Sequence, residues 1–194
     1  MPSEAVRILV SAFNSPHTVV HTARPTHPPR PYMDAIKLLI DQHRKLEAQM
    51  KTAVEAREPK ARAASLARVG DDLTKHLTSE EEVFYPAVKA KRTEDILLES
   101  LEEHLSLKRL LADLLTLDPA AETWEAKFKV LKEQTEHHHE EEEEKLFPKV
   151  RKAIDAVELE DLGQRMLAMQ QQLQRAGDPR DAVVEQTDEA APLK

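Results

Sequence analysis

The sequence predicts an all-α protein: an antiparallel up-down four-helix bundle with a short extra C-terminal helix. Its composition, with 33% charged residues, 4% aromatic residues and 3 glycines among 194 residues, is typical of helical domains rather than turn-rich β proteins. Apolar residues recur at steps of three and four in four long stretches, which is the spacing of one helix face. The connections between these stretches are short, which favours antiparallel neighbours.

The chain begins with a predicted disordered, proline-rich leader over residues 1–31. Five prolines fall within residues 14–31. Proline blocks helix formation, and the few apolar residues of this segment cannot bury a core. The histidines there have no fixed geometry, so we expect a solvated tail rather than a metal site.

The four bundle helices are predicted to follow from Tyr32 onward. The first reaches about Pro59 and the second reaches Pro86, where a proline should end or kink it. The third is predicted over residues 93–117, and the fourth ends at Pro148. In each helix the apolar face includes one histidine, which places that side chain in the bundle core.

Beyond Pro148, apolar residues between Val157 and Met169 predict one more short helix, expected to cover an end of the bundle. Residues 176–194 are acidic and are predicted to form a disordered tail. The predicted folded domain is therefore the bundle over residues 32–175.

Charge and composition exclude several classes of function. The net charge of −8 argues against nucleic acid or an anionic membrane as a partner, because both select basic surfaces. No stretch of about 18 apolar residues predicts a membrane span. The absence of cysteine removes disulfides, thiolate metal sites and iron–sulfur clusters. The opening residues lack the basic start of a secretory signal, so we expect a cytoplasmic protein that binds a cation.

One pattern of metal-ligand residues occurs twice in the chain. A lone histidine is followed by a His-x-x-x-Glu motif and then by a proline. The lone histidines are 61 residues apart, and every other matched pair is 62 apart. A repeat kept in register predicts one symmetric site. The pairs are His43 and His104, His76 and His138, Glu80 and Glu142, and Pro86 and Pro148.

The histidines and glutamates of this repeat lie on the apolar faces of their helices. A His and a Glu four residues apart are neighbours on one face, so one helix can offer a nitrogen and an oxygen to the same ion. Two ionised carboxylates among apolar neighbours would cost several kcal/mol each. Two cations bridged by the glutamates are the simplest neutralisation, and imidazole with carboxylate suits iron, manganese or zinc.

The alternative is a structural bundle in which these residues only pack and hydrogen-bond. For any single core histidine that is the commoner case, but the matched spacing in both halves favours a metal site. A packing role predicts no bound metal and a melting temperature that is indifferent to chelators.

Spacing alone does not choose a ligand within the run His137, His138 and His139, because each is followed by a glutamate four residues later. The repeat selects His138, since it and His76 each precede their proline by ten residues. His137 and His139 then lie about 100° to either side on the helix. The glutamates that follow are expected to form mostly a solvated face, with one or two supporting the ligands.

The order of these motifs resembles the hemerythrin-like HHE cation-binding family over about residues 32–170. The resemblance implies a four-helix bundle around a non-haem centre of two iron ions, oxo- or hydroxo-bridged. The preference for iron over zinc or manganese rests mainly on this resemblance. The implied metal ligands are His43, His76, Glu80, His104, His138 and Glu142.

One position departs from the family pattern. Oxygen-carrying hemerythrins have a second histidine four residues after the third-helix histidine, and Lys108 stands there in this chain. The missing imidazole leaves a coordination position open or filled by an oxygen donor, which counts against reversible oxygen carriage. The resemblance to four-histidine relatives that use a tyrosine just before the proline makes Tyr85 a candidate ligand. A core aromatic role is favoured for Tyr85, because Phe147 occupies the equivalent position.

An open position at a di-iron centre leads to a hypothesis of function. The protein would bind or reduce O₂, peroxide or nitric oxide, for sensing, detoxification or iron handling. Peroxide disproportionation is one enzymatic form of this hypothesis. The alternative is a non-catalytic cation-binding or oxygen- or iron-sensing module that is read by an unknown protein partner through the tails.

Overall fold

The computed structural model describes residues 33–89 and 93–194, and the predicted leader lies outside this part of the chain. The described residues form helices and no strand, so the all-α prediction is confirmed. No helix in these ranges has the length and apolar character needed to cross a membrane. The α-helices are α1 (Ala35–Glu55), α2 (Pro59–Ser79), α3 (Tyr85–Lys89), α4 (Glu94–Thr116), α5 (Glu122–Glu141), α6 (Phe147–Ala153) and α7 (Ala156–Ala176).

Four long helices, α1, α2, α4 and α5, form the walls of the bundle. α1 packs against α2 and α5, and α4 packs against the same two helices. Only a few residues connect α1 to α2 and α4 to α5, which makes each pair antiparallel. Two apolar clusters fill the bundle on either side of a polar layer. On α1, Leu39 belongs to one cluster and Leu46 to the other, and His43 lies between them in the polar layer.

Side-chain caps fix the starts of two helices. The Asp34 carboxylate accepts a hydrogen bond of 2.7 Å from the backbone N–H of Lys37, at the start of α1. Asp155 accepts hydrogen bonds of 2.9 Å from the backbone N–H groups of Val157 and Glu158, at the start of α7. Each cap of this kind stabilises a helix by about 1 kcal/mol.

Two π-helical turns, Glu80–Phe84 and Glu142–Leu146, connect α2 to α3 and α5 to α6. In each turn an N–H donates to the carbonyl five residues earlier, Tyr85 to Glu80 and Phe147 to Glu142. A proline follows each of these two aromatic residues, and in an α-helix its ring would clash with the carbonyl four residues before it. The wider turn accommodates the proline. Neither proline therefore ends its helix, and each turn begins at a glutamate of the repeat.

The last helix is longer than predicted and lies along the side of the bundle. α7 has 21 residues and packs on α1 and α2. Leu159 and Met166 enter the core cluster near the start of α1. A Cβ on Gly163 would lie 2.7 Å from the carbonyl oxygen of Met33, so glycine permits this close approach. The apolar pattern ends near Met169, but α7 continues through glutamines, which are good helix formers.

Part of the C-terminal tail is folded, contrary to the predicted disorder over residues 176–194. A 3₁₀ helix, Pro179–Gln186, packs against α2 and α4. Arg180 makes two contacts of 2.8 Å to the carboxylate of Asp71 on α2. Val183 is 1% exposed and joins an apolar cluster of the bundle. The acidic composition of residues 176–194 led to the prediction of disorder, which did not allow for one buried valine that packs against the bundle.

Candidate metal centre

The six predicted ligand residues meet in the polar layer of the bundle. They come from all four walls and from the first residues of both π turns. None is more than 1% exposed to solvent. The side chains brought together are His43, His76, Glu80, His104, His138 and Glu142.

Each of the two glutamates faces one imidazole from each half of the repeat. Glu80 Oε2 lies 3.4 Å from Nε2 of His76 and 3.5 Å from Nε2 of His104. Glu142 Oε2 lies 3.3 Å from Nε2 of His43 and 3.8 Å from Nε2 of His138. Two of the groups of atoms that could hold a cation contain Glu80. One contains His43, His76, Glu80 and Glu142, and the other contains Glu80, His104 and His138.

Nδ1 of every one of these imidazoles faces an acceptor outside the centre. The partners of His43, His104 and His138 are carboxylates at 2.8–2.9 Å, and the partner of His76 is an amide oxygen at 3.1 Å. These oxygens can only accept, so Nδ1 carries the proton and Nε2 points a lone pair inward. Such partners fix the ring orientation of metal-binding histidines. They are Glu143 for His43, Gln42 for His76, Glu81 for His104 and Glu103 for His138.

The sequence predicted that one or two of the glutamates after the histidine run support the ligands, and Glu143 does so. It did not identify Gln42, Glu81 or Glu103, although all four supporting residues follow the same repeat. Glu81 and Glu143 each come directly after a repeat glutamate and are 62 residues apart. Gln42 and Glu103 each come directly before a lone histidine and are 61 apart. Extending the repeat by one residue on each side would have found them.

Several atoms at the centre are buried without a hydrogen-bond partner among the described residues. They include Nε2 of His43 and His76, both carboxylate oxygens of Glu80, and Glu142 Oε2. Nε2 of His104 and Nε2 of His138 lie 3.0 Å apart, which sets two lone pairs against each other. Buried polar atoms left unpaired cost about 1–3 kcal/mol each. A nitrogen and oxygen donor set of this kind fits a transition-metal cation, which would satisfy all of these atoms together.

Burial and mutual repulsion set the charges of the centre. Burial, together with the nearby charge of Glu142, holds the pKa of Glu80 well above its usual value. Burial also opposes ionisation of Glu142, but attraction to the His138 and His43 imidazoles in their protonated forms outweighs it and lowers the pKa of Glu142 in the metal-free protein. Burial lowers the pKa of His76 and His104, which keeps these imidazoles neutral. No Lys or Arg in the described ranges contacts Glu80 or Glu142, so a bound cation would supply the missing positive charge.

Lys108, which stands where oxygen carriers have a fifth histidine, does not face the centre directly. Its Nζ lies 2.7 Å from Glu81 Oε2, and the other carboxylate oxygen of Glu81 lies 2.9 Å from Nδ1 of His104. Both side chains of the Lys108–Glu81 pair are 6% exposed. The lysine therefore neutralises the carboxylate that orients His104.

Tyr85 lies at the edge of the centre. Its ring stacks on His104 with centroids 5.4 Å apart, as the ring of Phe147 stacks on His43. Its hydroxyl donates a hydrogen bond of 2.9 Å to Glu142 Oε1 and lies 3.1 Å from Nε2 of His104. The ring has the core position that the sequence favoured, and the hydroxyl adds an oxygen that Phe147 lacks.

His139 is buried beside the centre, although the repeat placed it off the ligand-bearing face. It is 1% exposed, and its ring lies parallel to that of His43 at 3.8 Å. Neither of its ring nitrogens has a hydrogen-bond partner in the described part of the chain. One of them lies within 4.8 Å of ligand atoms of His43 and His76. Nothing in the repeat signals this residue, because its counterpart in the first half is Leu77.

Comparison with known proteins places these observations in a family. The sequence model of one protein family, the hemerythrin HHE cation-binding domain, matches residues 34–150. A crystal structure of a hemerythrin HHE cation-binding domain-containing protein from Mycobacterium kansasii superposes with a TM-score of 0.68 at 23% identity. The alignment covers 79% of this chain and 98% of that one, and at this identity it shows a shared fold. A search of curated proteins gives no significant match.

Proposed function

The chain belongs to the hemerythrin HHE cation-binding family, and from this premise we propose that it is a cytoplasmic di-iron protein that binds or reduces O₂, peroxide or nitric oxide. Its role would lie in sensing, detoxification or iron handling. One observation carries the proposal. The nitrogen and oxygen atoms of the six ligand residues converge in a single buried layer, and those of His43, His76, Glu80 and Glu142 include atoms with no hydrogen-bond partner among the described residues.

The residues divide into two sets that would each hold one ion. His43 and His76 would bind one ion, and His104 and His138 would bind the other. Glu80 and Glu142, each facing one imidazole of both sets, would bridge them. Bound iron would supply a Lewis acid and electrons for a small oxidant.

The chain itself supplies a hydrogen-bond donor and a dry environment. Burial and the nearby Glu142 and Glu80 carboxylates hold the pKa of Tyr85 well above its usual value, so its hydroxyl keeps its proton beside Glu142. Phe84 and Phe147 lie in the apolar cluster that adjoins the polar layer. They exclude bulk water, which favours small uncharged ligands over larger substrates.

The proposed activity is tested by removing single ligands. His76→Ala and Glu142→Ala should lose peroxide consumption and nitric oxide binding while remaining helical by circular dichroism. His137→Ala is a matched control, because the His137 side chain is 63% exposed, and it should behave as the unmodified protein. Folded ligand variants that retain full activity would contradict the proposal.

A second candidate, a sensing module read by a partner, is favoured by one set of contacts. Gln170 of α7 hydrogen-bonds to the side chain of Gln42, which in turn accepts from Nδ1 of His76. Gln170 also donates to Ser79 at 2.8 Å. Metal binding that shifts His76 would therefore change the hydrogen bonds between Gln42 and α7. Hydrogen exchange of α7 that changes on metal removal, in a protein without turnover, would favour this candidate over an enzyme.

A further inference from the structure

An acidic pocket opens on the face between α1 and α5, close to the proposed centre. It has a volume of about 410 Å³ and is lined by Glu47, Glu136, Glu140, Glu143, Glu144 and Arg44. Arg44 contacts Glu47 at 3.0 Å and Glu143 at 2.6 Å, and Lys132 contacts Glu136 at 2.5 Å. No ion pair of Glu140 or Glu144 is found within the described ranges. The pocket therefore keeps an excess of negative charge, which concentrates cations.

A buried imidazole lies directly behind this pocket. Glu47 Oε1 is 3.6 Å from Nδ1 of His139, which is too long for a hydrogen bond. Glu47 is 28% exposed, whereas His139 is 1% exposed. A buried imidazole with neither nitrogen satisfied is costly in free energy, and a carboxylate beside its Nδ1 makes this an N,O pair suited to a passing cation.

His139 also adjoins the inner ligands. Its ring lies 5.3 Å from that of His76, edge to face, and 3.8 Å from that of His43 at an angle of 6°. The lone pairs of two stacked, parallel imidazoles lie in separate planes. In this arrangement they cannot both point at one ion, so His139 is placed before the centre rather than among its permanent ligands.

We propose that the acidic pocket, Glu47 and His139 form the entry route by which divalent iron reaches the His43 and His76 side of the centre. The pocket concentrates the ion, Glu47 and His139 bind it transiently, and rotation of the His139 ring passes it to Nε2 of His43 and His76. This inference rests on the proposed metal-binding function.

A second acidic pocket on the same bundle lacks the features of a route. It has a volume of about 530 Å³ and lies between α4 and α5, where Glu99, Glu102 and Glu103 line it. Behind it, Glu103 already accepts from Nδ1 of His138 at 2.8 Å. The imidazole that lines this pocket, His137, is 63% exposed, and among the described residues no buried imidazole without a partner lies between the pocket and the centre. The pocket therefore provides a matched control of equal charge.

The test measures the rate of metal uptake. Metal-free protein is mixed anaerobically with Fe²⁺, and the metal content per chain is followed after rapid desalting; Co²⁺, whose visible bands report its ligands, is used in parallel. His139→Phe keeps an aromatic ring against His43, and Glu140→Gln/Glu144→Gln removes two exposed charges. Both variants should load at least ~10-fold more slowly, as expected when a steering charge or a relay ligand is lost. Both should reach the same final metal content and Co²⁺ spectrum as the unmodified protein.

The control variant removes two charges from the other acidic pocket. Glu99→Gln/Glu102→Gln should load at the unmodified rate, and an equal slowing in this control would overturn the route in favour of a general charge effect. Unchanged loading in His139→Phe would also overturn it. A lower final metal content or altered Co²⁺ bands in that variant would make His139 a permanent ligand instead. Should His139→Phe fail to fold, the two double variants decide the matter. Absence of metal uptake by the unmodified protein would refute the proposed function itself.

Discussion

Glu143 Oε1 lies 2.8 Å from Nδ1 of His43, so a carboxylate of the second half of the chain orients an imidazole of the first. The reciprocal contact joins Glu81 of the first half to His104 of the second at 2.9 Å. Each half of the repeat therefore supplies a carboxylate that orients an imidazole of the other half. Neither half of the repeat contains a complete ligand set with its supporting partners.

Removal of Glu143 should weaken metal binding without removing a proposed ligand. In Glu143→Ala, His43 loses the acceptor that fixes its tautomer, and we expect affinity to fall between ~10- and ~100-fold. Equilibrium competition with a chelator measures this. Glu144→Ala, the exposed neighbour, should keep the original affinity; equal losses in the two variants would show that the contact to His43 has no special role.

The buried pair of Lys108 and Glu81 should contribute strongly to stability. Lys108→Met leaves the Glu81 carboxylate buried without its cation, and breaking a buried pair in this way costs about 3–5 kcal/mol. Urea unfolding of metal-free protein measures the change. Lys145→Ala is the control, because Lys145 is 53% exposed and pairs with Glu141 at the surface, where a pair contributes about 0–1 kcal/mol. Restoration of stability in Lys108→Met/Glu81→Gln is expected, and its absence would count against an electrostatic cause.

Metal-free protein should lose stability as the pH falls through the ordinary imidazole pKa of 6.5. Burial, with the nearby His43, lowers the pKa of His139 well below this value. Below pH 6.5 the unfolded chain then binds more protons at this residue than the folded chain, so the free energy of unfolding decreases. The contribution of His139 is fully present above pH 6.5 and is lost below it.

The variant His139→Phe isolates this effect, since the other titrating groups are retained. Its free energy of unfolding should depend less steeply on pH between about 6.5 and 5 than that of the unmodified protein. Chemical denaturation at several pH values, with chelator present, measures both curves. Parallel curves would mean that folded His139 takes up a proton as readily as the unfolded chain does.

The buried valine of the C-terminal 3₁₀ helix should contribute to the stability of the bundle. Val183 is 1% exposed and Val184 is 51% exposed, so the two neighbours form a matched pair. Val183→Ala should lower the free energy of unfolding by about 1–2 kcal/mol through lost apolar burial, and Val184→Ala by less than about 0.5 kcal/mol. Thermal or urea unfolding distinguishes them. Equal effects would indicate that the tail does not dock in solution.

Helical periodicity and the repeat were sufficient to predict the four long helices of the bundle and the meeting of the six side chains. Both signals depend on local spacing, which places His43 or His104 on an apolar face irrespective of the partner helix. The repeat, extended by one residue on each side, also marks the four supporting residues, but which imidazole each of them contacts depends on how the helices face one another. His139 is the clearest case, because its burial results from the packing of α5 against α1.

The tail and the π turns show a second limit of sequence interpretation. Acidic composition predicted disorder beyond residue 175, yet one valine and the Arg180–Asp71 contact dock the segment. The proline after Tyr85 was expected to end or kink its helix, and the fourth helix was expected to end at the proline after Phe147. Instead, a π turn accommodates each proline and the helix continues. Whether a proline ends a helix or is accommodated in this way depends on tertiary packing.

The most direct test of the proposed di-iron centre is the metal content of protein purified from iron-supplied cells, measured together with its ultraviolet-visible spectrum before and after addition of peroxide. A di-iron centre predicts two irons per chain and near-ultraviolet charge-transfer bands that change on addition of peroxide. Metal-free protein, or protein with zinc and no spectral response, would contradict it and leave a structural or passive cation-binding bundle.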